Sequence, residues 1–161
     1  FRCLSLNFKY KFIFVDAAGK LNTDLSKLEM PNKKLPNNIE VKNGTPSVDD
    51  LLIDASIILL PSIWHESGSR LILEGHKRGI PVLAFATGGT SEFMAHAIED
   101  LFPKPESNSH WDSSSLVIRI EKLLTDFRLY SDHSIMLRNH SIALEQKNRN
   151  SAIMLLNKVL G

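Results

Sequence analysis

The chain has 161 residues, 43% of them apolar, which is one domain's worth of sequence and enough to bury a core. Its 19 basic and 18 acidic residues leave a net charge of +1, so there is no electrostatic case for nucleic acid or an anionic membrane as the main partner. The single cysteine, Cys3, excludes a disulfide or a thiolate metal cluster within the chain and favours a reducing compartment. No apolar run approaches the roughly 18–20 residues that span a bilayer, and the N-terminus carries no secretory signal. The opening Phe1-Arg2-Cys3 reads as an entry partway into a longer protein.

In chain order, Tyr10 to Val15 is aromatic and β-branched and predicts a buried strand, with a turn at Asp16-Ala17-Ala18-Gly19. Leu21 to Asn38 is polar and holds Pro31 and Pro36, so a loop with at most a short helix is expected. Ile39 to Val41 is a short strand ending at Asn43-Gly44-Thr45. Ser47 and Asp50 have the spacing of a capping box, and Val48, Leu51 and Leu52 supply an apolar stripe for a helix ending near Asp54. Ile57 to Leu60 is a continuous apolar run, as in a strand covered on both faces. Helical text follows from Leu71 to Arg78, stopped by Gly79-Ile80-Pro81, and Val82 to Ala86 is the next apolar strand. A helix is expected from about Ser91 to Ile98, then a loop from Asp100 to His110. From Ser113 the text is helical, with Leu116, Ile120, Leu123 and Leu124 on one face. A break is expected at Phe127 to Ser131, then a helix from about Ser134 to Leu160 with a kink near 148–150. The apolar residues of that last helix read as core or domain-packing contacts, and Trp111 as an anchor or a surface residue. Strands alternating with helices at this spacing argue an α/β fold, a Rossmann-like parallel sheet with helices on both faces.

The stretch Pro61 to Glu74 carries the chemistry. It runs from a strand through a loop into a helix, which is how α/β proteins present a site at the carboxyl ends of their strands. Ser67, Gly68, Ser69 and Arg70 fall in the first helical turn, where unsatisfied N–H groups and the helix dipole favour an anion. Gly68 permits close approach, the serines add hydroxyls, and Arg70 adds a fork-shaped cation suited to phosphate. Glu74 shares a face with Arg70 at i, i+4 and can accept from vicinal hydroxyls. Glu66 lies before the helix, across the phosphate position. A phosphate with a hydroxyl-rich group at each end describes a nucleotide-sugar. Thr87-Gly88-Gly89-Thr90 follows the next strand at the same sheet edge, so the two loops would flank one cleft. Taken singly, Glu66 and Glu74 read as solvated acids, Arg70–Glu74 as a surface pair, and Gly88-Gly89 as a turn; their ordered combination argues for the site.

Pro61-Ser62, Glu66, Glu74, Gly79-Ile80-Pro81-Val82, Gly88-Gly89 and Glu92, in this order and spacing, resemble the C-terminal, donor-binding domain of the GT-B nucleotide-sugar glycosyltransferases of group 1, family 4. The resemblance covers about Tyr10 to Leu124. It implies the C-terminal half of a GT-B fold, ending in C-terminal helices. It implies that Glu66 is catalytic and touches the donor sugar. The amides of Gly68, Ser69 and Arg70 would meet sugar and diphosphate, and Glu74 the ribose. Ser62, Ser67, Leu71, Gly88, Gly89 and Thr90 complete the expected donor site, with the Gly44 loop near the base. No cofactor or metal is expected, because the helix start and basic side chains stabilise the leaving diphosphate. The partners implied are a nucleotide-sugar and an acceptor glycan, lipid or small molecule. The acceptor would be held by an N-terminal domain lying, with the first strand–helix unit, outside residues 1–161, which would form a single nucleotide-sugar-binding domain, inactive alone. The expected location is the cytoplasm, including peripheral association at the inner face of a membrane. The chain departs from the pattern at Glu66-Ser67-Gly68-Ser69, where the family has an aromatic between small residues: the aromatic is lost and serine replaces the second glycine. That alters the sugar pocket. A nucleotide-sugar epimerase of the same architecture and a non-catalytic, degenerate module stand as alternatives.

Other patterns fail. His65-Glu66 lacks the second histidine of a zinc protease motif. The remaining histidines show no ligand spacing. Gly-x-Ser-x-Gly and Gly-x-Gly-x-x-Gly are absent. Asn43-Gly44-Thr45 and Asn139-His140-Ser141 match the glycosylation triplet, which arises often by chance.

Overall fold

The computed structural model describes residues 10–16, 37–43, 47–65, 67–106 and 113–160. The expected turn at 16–19 extends beyond these, and most of the 21–38 loop, Gly44, Glu66 and Trp111 lie outside them. The chain divides into two compact units, Phe1–Ile53 and Asp54–Gly161.

The first unit holds two parallel strands, β1 (Phe12–Asp16) and β2 (Ile39–Asn43), in register from Phe12 opposite Ile39 to Asp16 opposite Asn43. Strand β1 alternates: Phe12 and Phe14 are half-buried, while Ile13 and Val15 are exposed. A short helix, α1 (Val48–Leu52), follows, and its N-cap is Ser47, whose hydroxyl accepts from the Asp50 amide at 3.4 Å. The helix stops at Leu52, two residues before the expected end.

The second unit is built on a three-stranded parallel sheet in which β4 (Val82–Phe85) lies between β3 (Ile58–Leu60) and β5 (Leu101–Phe102). All four residues of β4 are buried, as its unbroken apolar text requires of a central parallel strand. Between β3 and β4 runs α2 (Arg70–Lys77). It lies close on the sheet because Gly75 has no side chain: a Cβ there would stand 2.7 Å from both Ile58 Cδ1 and Val82 Cγ2. Its end is fixed by Gly79, whose φ of +72° suits glycine. The Ile80 amide donates to the Gly75 carbonyl and the Gly79 amide to the His76 carbonyl, both at 2.9 Å, which is a Schellman closure. Pro81 then prevents the helix from continuing.

After β4 the structure departs from the sequence reading in three places. The expected helix from 91 to 98 is a single turn, α3 (Thr90–Phe93), followed by a 3₁₀ turn (Ile98–Asp100). The loop read from Asp100 onward begins with β5. The break between the last two helices is the single residue Asp126, which separates α4 (Ser114–Thr125) from α5 (Phe127–Leu160). Asp126 is extended, and its carboxylate accepts from the Leu129 amide at 2.9 Å, so it starts the new helix at once. Helix α5 then continues unbroken through 148–150. Its first half is docked: Leu137 is fully buried, His133 and Ser141 nearly so. The Tyr130 hydroxyl donates to the Ser56 carbonyl at 2.9 Å. Toward the other end Ile153, Met154, Leu155, Leu156 and Val159 are exposed. No helix of the described residues is long and apolar enough to cross a membrane.

Two polar clusters secure α4 and α5. Asp100, with no exposed surface, accepts from Arg119 Nε of α4 at 2.7 Å and lies 2.6 Å from His133 Nε2 of α5. The more exposed Glu99 stands 3.5 Å from both partners. The second cluster is three histidines, of which His96 and His140 are stacked and His76 meets His96 edge-on. His76 Nδ1 of α2 is 3.2 Å from His96 Nε2, and the His96 ring lies parallel to that of His140 of α5 at 3.6 Å. His76 Nε2 is buried without a partner among the described residues. Burial first, and then the charge of His96, pushes the His76 pKa down to about 4. Burial first, and then His140, pushes His96 down to about 4 as well.

Two outcomes follow for stability. Removing a partner from a buried ion pair leaves the other charge uncompensated, so Asp100→Ala should lower the unfolding free energy by about 3–5 kcal/mol. Glu99→Ala, at the exposed rim, should cost less than about 1 kcal/mol; equal effects in urea titrations would refute the distinction. For the histidine cluster, the unfolded chain binds protons near pH 6.5, where the folded His76 and His96 do not. Their contribution is therefore complete above pH 6.5 and lost as pH falls toward 4. A urea midpoint that stays flat between pH 7 and 4.5 after both histidines are replaced, and falls in the parent chain, is the expected result.

Candidate functional site

The site forms where the chain leaves β3 and β4 at the same sheet edge. After Leu60 comes an exposed segment in which Trp64 is 76% accessible. The buried Thr87, at the end of β4, donates its hydroxyl to the Ser62 carbonyl at 3.3 Å and ties this segment to the second loop. The second loop turns tightly, with the Thr90 amide on the Thr87 carbonyl at 3.0 Å and Gly88 at φ +50°.

The two loops meet at their backbones. Gly89 lies so close to Ser67 that a Cβ would overlap the Ser67 carbonyl oxygen and stand 2.7 Å from its carbon and 3.3 Å from the Gly68 nitrogen. The φ of Gly89 is an ordinary −73°, so space rather than conformation excludes a side chain there. Thr90, buried, and the exposed Gly88 flank this contact.

Ser69 is the N-cap residue of α2, with extended backbone, and its hydroxyl makes no capping hydrogen bond. Its carbonyl accepts from Ile72 at 3.1 Å. The amides of Gly68, Ser69, Arg70 and Leu71 have no acceptor among the described residues. The exposed Arg70 guanidinium makes no ion pair with them either. Among the described residues these donors are without acceptors, and they gather at the positive end of a helix dipole. One turn on, Glu74 is half-exposed, and its partner is Arg78 rather than Arg70: Arg78 Nη1 bonds both Glu74 Oε2 at 2.5 Å and the Glu74 carbonyl at 2.9 Å. Oε1 has no partner among the described residues. Arg138 of α5 in turn bonds the Arg78 carbonyl at 3.0 Å.

A groove of about 200 Å³ runs between α2 and α5, with Arg70, Glu74 and Lys77 on one wall and Ser141, Leu144 and Asn148 on the other. Lys77 and Glu145 bridge it at 2.7 Å. No periodic or motif signal in the sequence connects Ser141 or Asn148 with Glu74. Of the expected site residues, Ser62, Ser67, Gly68, Ser69, Gly88, Gly89 and Thr90 are brought together, with Arg70, Leu71 and Glu74 on the helix that starts there; Glu66 and Gly44 are outside the described residues. Among the described residues, no group of three or more His, Cys, Asp or Glu side chains is placed to hold a metal ion.

The sequence model of the family described as glycosyl transferases group 1 matches residues 4–134. The chain belongs to the group 1 glycosyltransferases. No curated protein matches it. The match takes in both glycine loops, all of α2 and the start of α5. A group 1 glycosyltransferase acts on a sugar donor and an acceptor, and the amides at the start of α2 are chemically suited to an anionic ligand.

Because Gly89 and Ser67 meet backbone to backbone, Gly89→Ala should destabilise the chain by about 1–3 kcal/mol despite its alanine-compatible φ. A urea midpoint unchanged by this substitution would show that the loops do not rest on each other in solution.

Proposed function

We propose that this chain is the donor-binding part of a retaining glycosyltransferase that uses a nucleotide-sugar. The observation that carries the reading is the set of amides at Gly68 to Leu71 and the Arg70 cation, none with a partner among the described residues, one helical turn from the Glu74 carboxylate. Four residues of helix advance about 6 Å, a separation suited to a diphosphate at the first turn and ribose hydroxyls at Glu74. Arg78 holds the Glu74 carboxylate by Oε2, which supports a role for its other oxygen in accepting from those hydroxyls.

In this scheme Glu66 contacts the donor sugar, and the diphosphate develops negative charge as the bond from the anomeric carbon to the leaving oxygen breaks. The first-turn amides and Arg70 are fixed in place before that charge appears, so they stabilise it without reorganising. Protein groups thus supply the counter-charge that a metal ion supplies elsewhere. As that bond breaks, the hydroxyl oxygen of the acceptor forms the new bond to the anomeric carbon, and its proton passes to the departing diphosphate.

Titration of the chain with UDP, GDP and ADP tests this directly. One nucleotide should bind in preference to the others. Glu74→Ala should weaken it at least about tenfold, since charged hydrogen bonds contribute about 1.5–3 kcal/mol each. Failure of the folded chain to bind any of the three would overturn the reading.

A further inference from the structure

Gly68 stands at φ +138°, a region that glycine enters freely and other residues rarely adopt. A glycine in a loop samples many conformations, so something must select this one. The neighbour on its side-chain side is the ring of Phe93. A Cβ on Gly68 would overlap that ring, standing 2.7 Å from Cδ2 and 2.8 Å from Cζ. Phe93 is the last residue of α3 and is half-buried. Its own amide donates to the Gly89 carbonyl at 3.2 Å, and Gly89 is the residue packed on the Ser67 carbonyl. One turn of chain, Gly89 to Phe93, therefore grips the Ser67–Gly68 peptide from two sides, by backbone at Ser67 and by an aromatic ring at Gly68.

We propose that Phe93 is a positioning residue for the donor site: its ring holds Gly68 so that the amides of Gly68, Ser69 and Arg70 face the diphosphate as a set. The proposal rests on the donor-site reading above. The Gly68 conformation sets the direction of the amides that follow it, and those amides have no acceptor among the described residues to hold them in place. Donors that are aimed in advance bind charge more tightly than donors that must be ordered on binding. With the ring gone, Gly68 regains its freedom and the amides lose their common aim.

The test compares a nucleoside diphosphate with its own nucleoside, for example UDP with uridine. The diphosphate needs the first-turn amides, whereas the nucleoside is held through Glu74. Phe93→Ala should weaken the diphosphate by about tenfold or more, given that misplacement by about 1 Å can cost about a hundredfold, and should change nucleoside affinity less than about twofold. Phe93→Tyr, which keeps the ring, should retain the parent ratio of the two affinities. Phe93→Val, with less bulk, should lose most of it and serves if the alanine variant does not fold. The Gly68 amide proton resonance should also move when the ring is removed. Equal weakening of both ligands would mean a merely structural role, and an unchanged ratio would mean no role; either overturns the proposal. If Glu74→Ala still weakens both ligands in that case, the donor site stands without Phe93. If the folded parent chain binds neither ligand, the donor-site reading fails and this proposal with it.

Discussion

The contact between Gly89 and the Ser67 carbonyl is the constraint on which the arrangement of the site depends. A parallel sheet sends successive strands out at one edge, so the loops after β3 and β4 are neighbours by topology. Neighbourhood alone does not orient them. Orientation comes from the absence of a side chain at residue 89, which lets two peptide planes touch, and from the Thr87 hydroxyl on the Ser62 carbonyl. Below that contact, Gly75 plays the same part for α2, letting the helix lie against Ile58 and Val82. Glycines at two levels thus set where the first turn of α2 stands.

Helix α5 determines what lies beside that turn. Its docking relies on polar groups taken out of water, a costly choice unless each is matched. Asp100 is matched twice, by Arg119 and His133, which explains how a fully buried carboxylate is tolerated beside a short strand. The histidine cluster is matched only in part, with His76 Nε2 left without a partner among the described residues, and two imidazolium ions this close would repel in a poorly solvated place. Arg138 on the Arg78 carbonyl, and Arg78 on Glu74, link the docked face of α5 to the Glu74 carboxylate. The geometry of Glu74 is therefore set partly by residues beyond 134, where the match to the family ends.

Much of this was legible in the sequence, for reasons that can be named. The strands β3 and β4 announce themselves by continuous apolar text, and α2 by Gly79-Ile80-Pro81 at its end. Ser47 and Asp50 mark the start of α1. The two-residue strand β5 was not legible, because Leu101-Phe102 is too short for any periodicity and Pro103 follows it at once. The start of α5 lies earlier than the sequence suggests because a single extended residue, Asp126, separates two helices and caps the second at once. Arg70 and Arg78 stand at equal spacing on either side of Glu74, so spacing could not say which would pair with it. The alternation of exposure along β1 is not legible because the exposed Ile13 and Val15 are as apolar as the half-buried Phe12 and Phe14 with which they alternate.

The departure at Glu66-Ser67-Gly68-Ser69 takes on a physical meaning once the Phe93 ring is seen. Read along the chain, an aromatic is missing from the donor loop, and the loss suggests a slackened site. Read in space, an aromatic ring occupies the side-chain volume at residue 68, supplied from α3 instead of from the loop itself. A glycine at residue 68 is then not a vacancy but a requirement, since any larger residue would meet the ring and would also have to adopt φ +138°. The loop surrenders its own bulk and takes its rigidity from a neighbour. Such an exchange keeps the packing while opening the backbone at residue 68 to whatever approaches from the solvent side, so a motif that looks degraded in one dimension is accounted for in three.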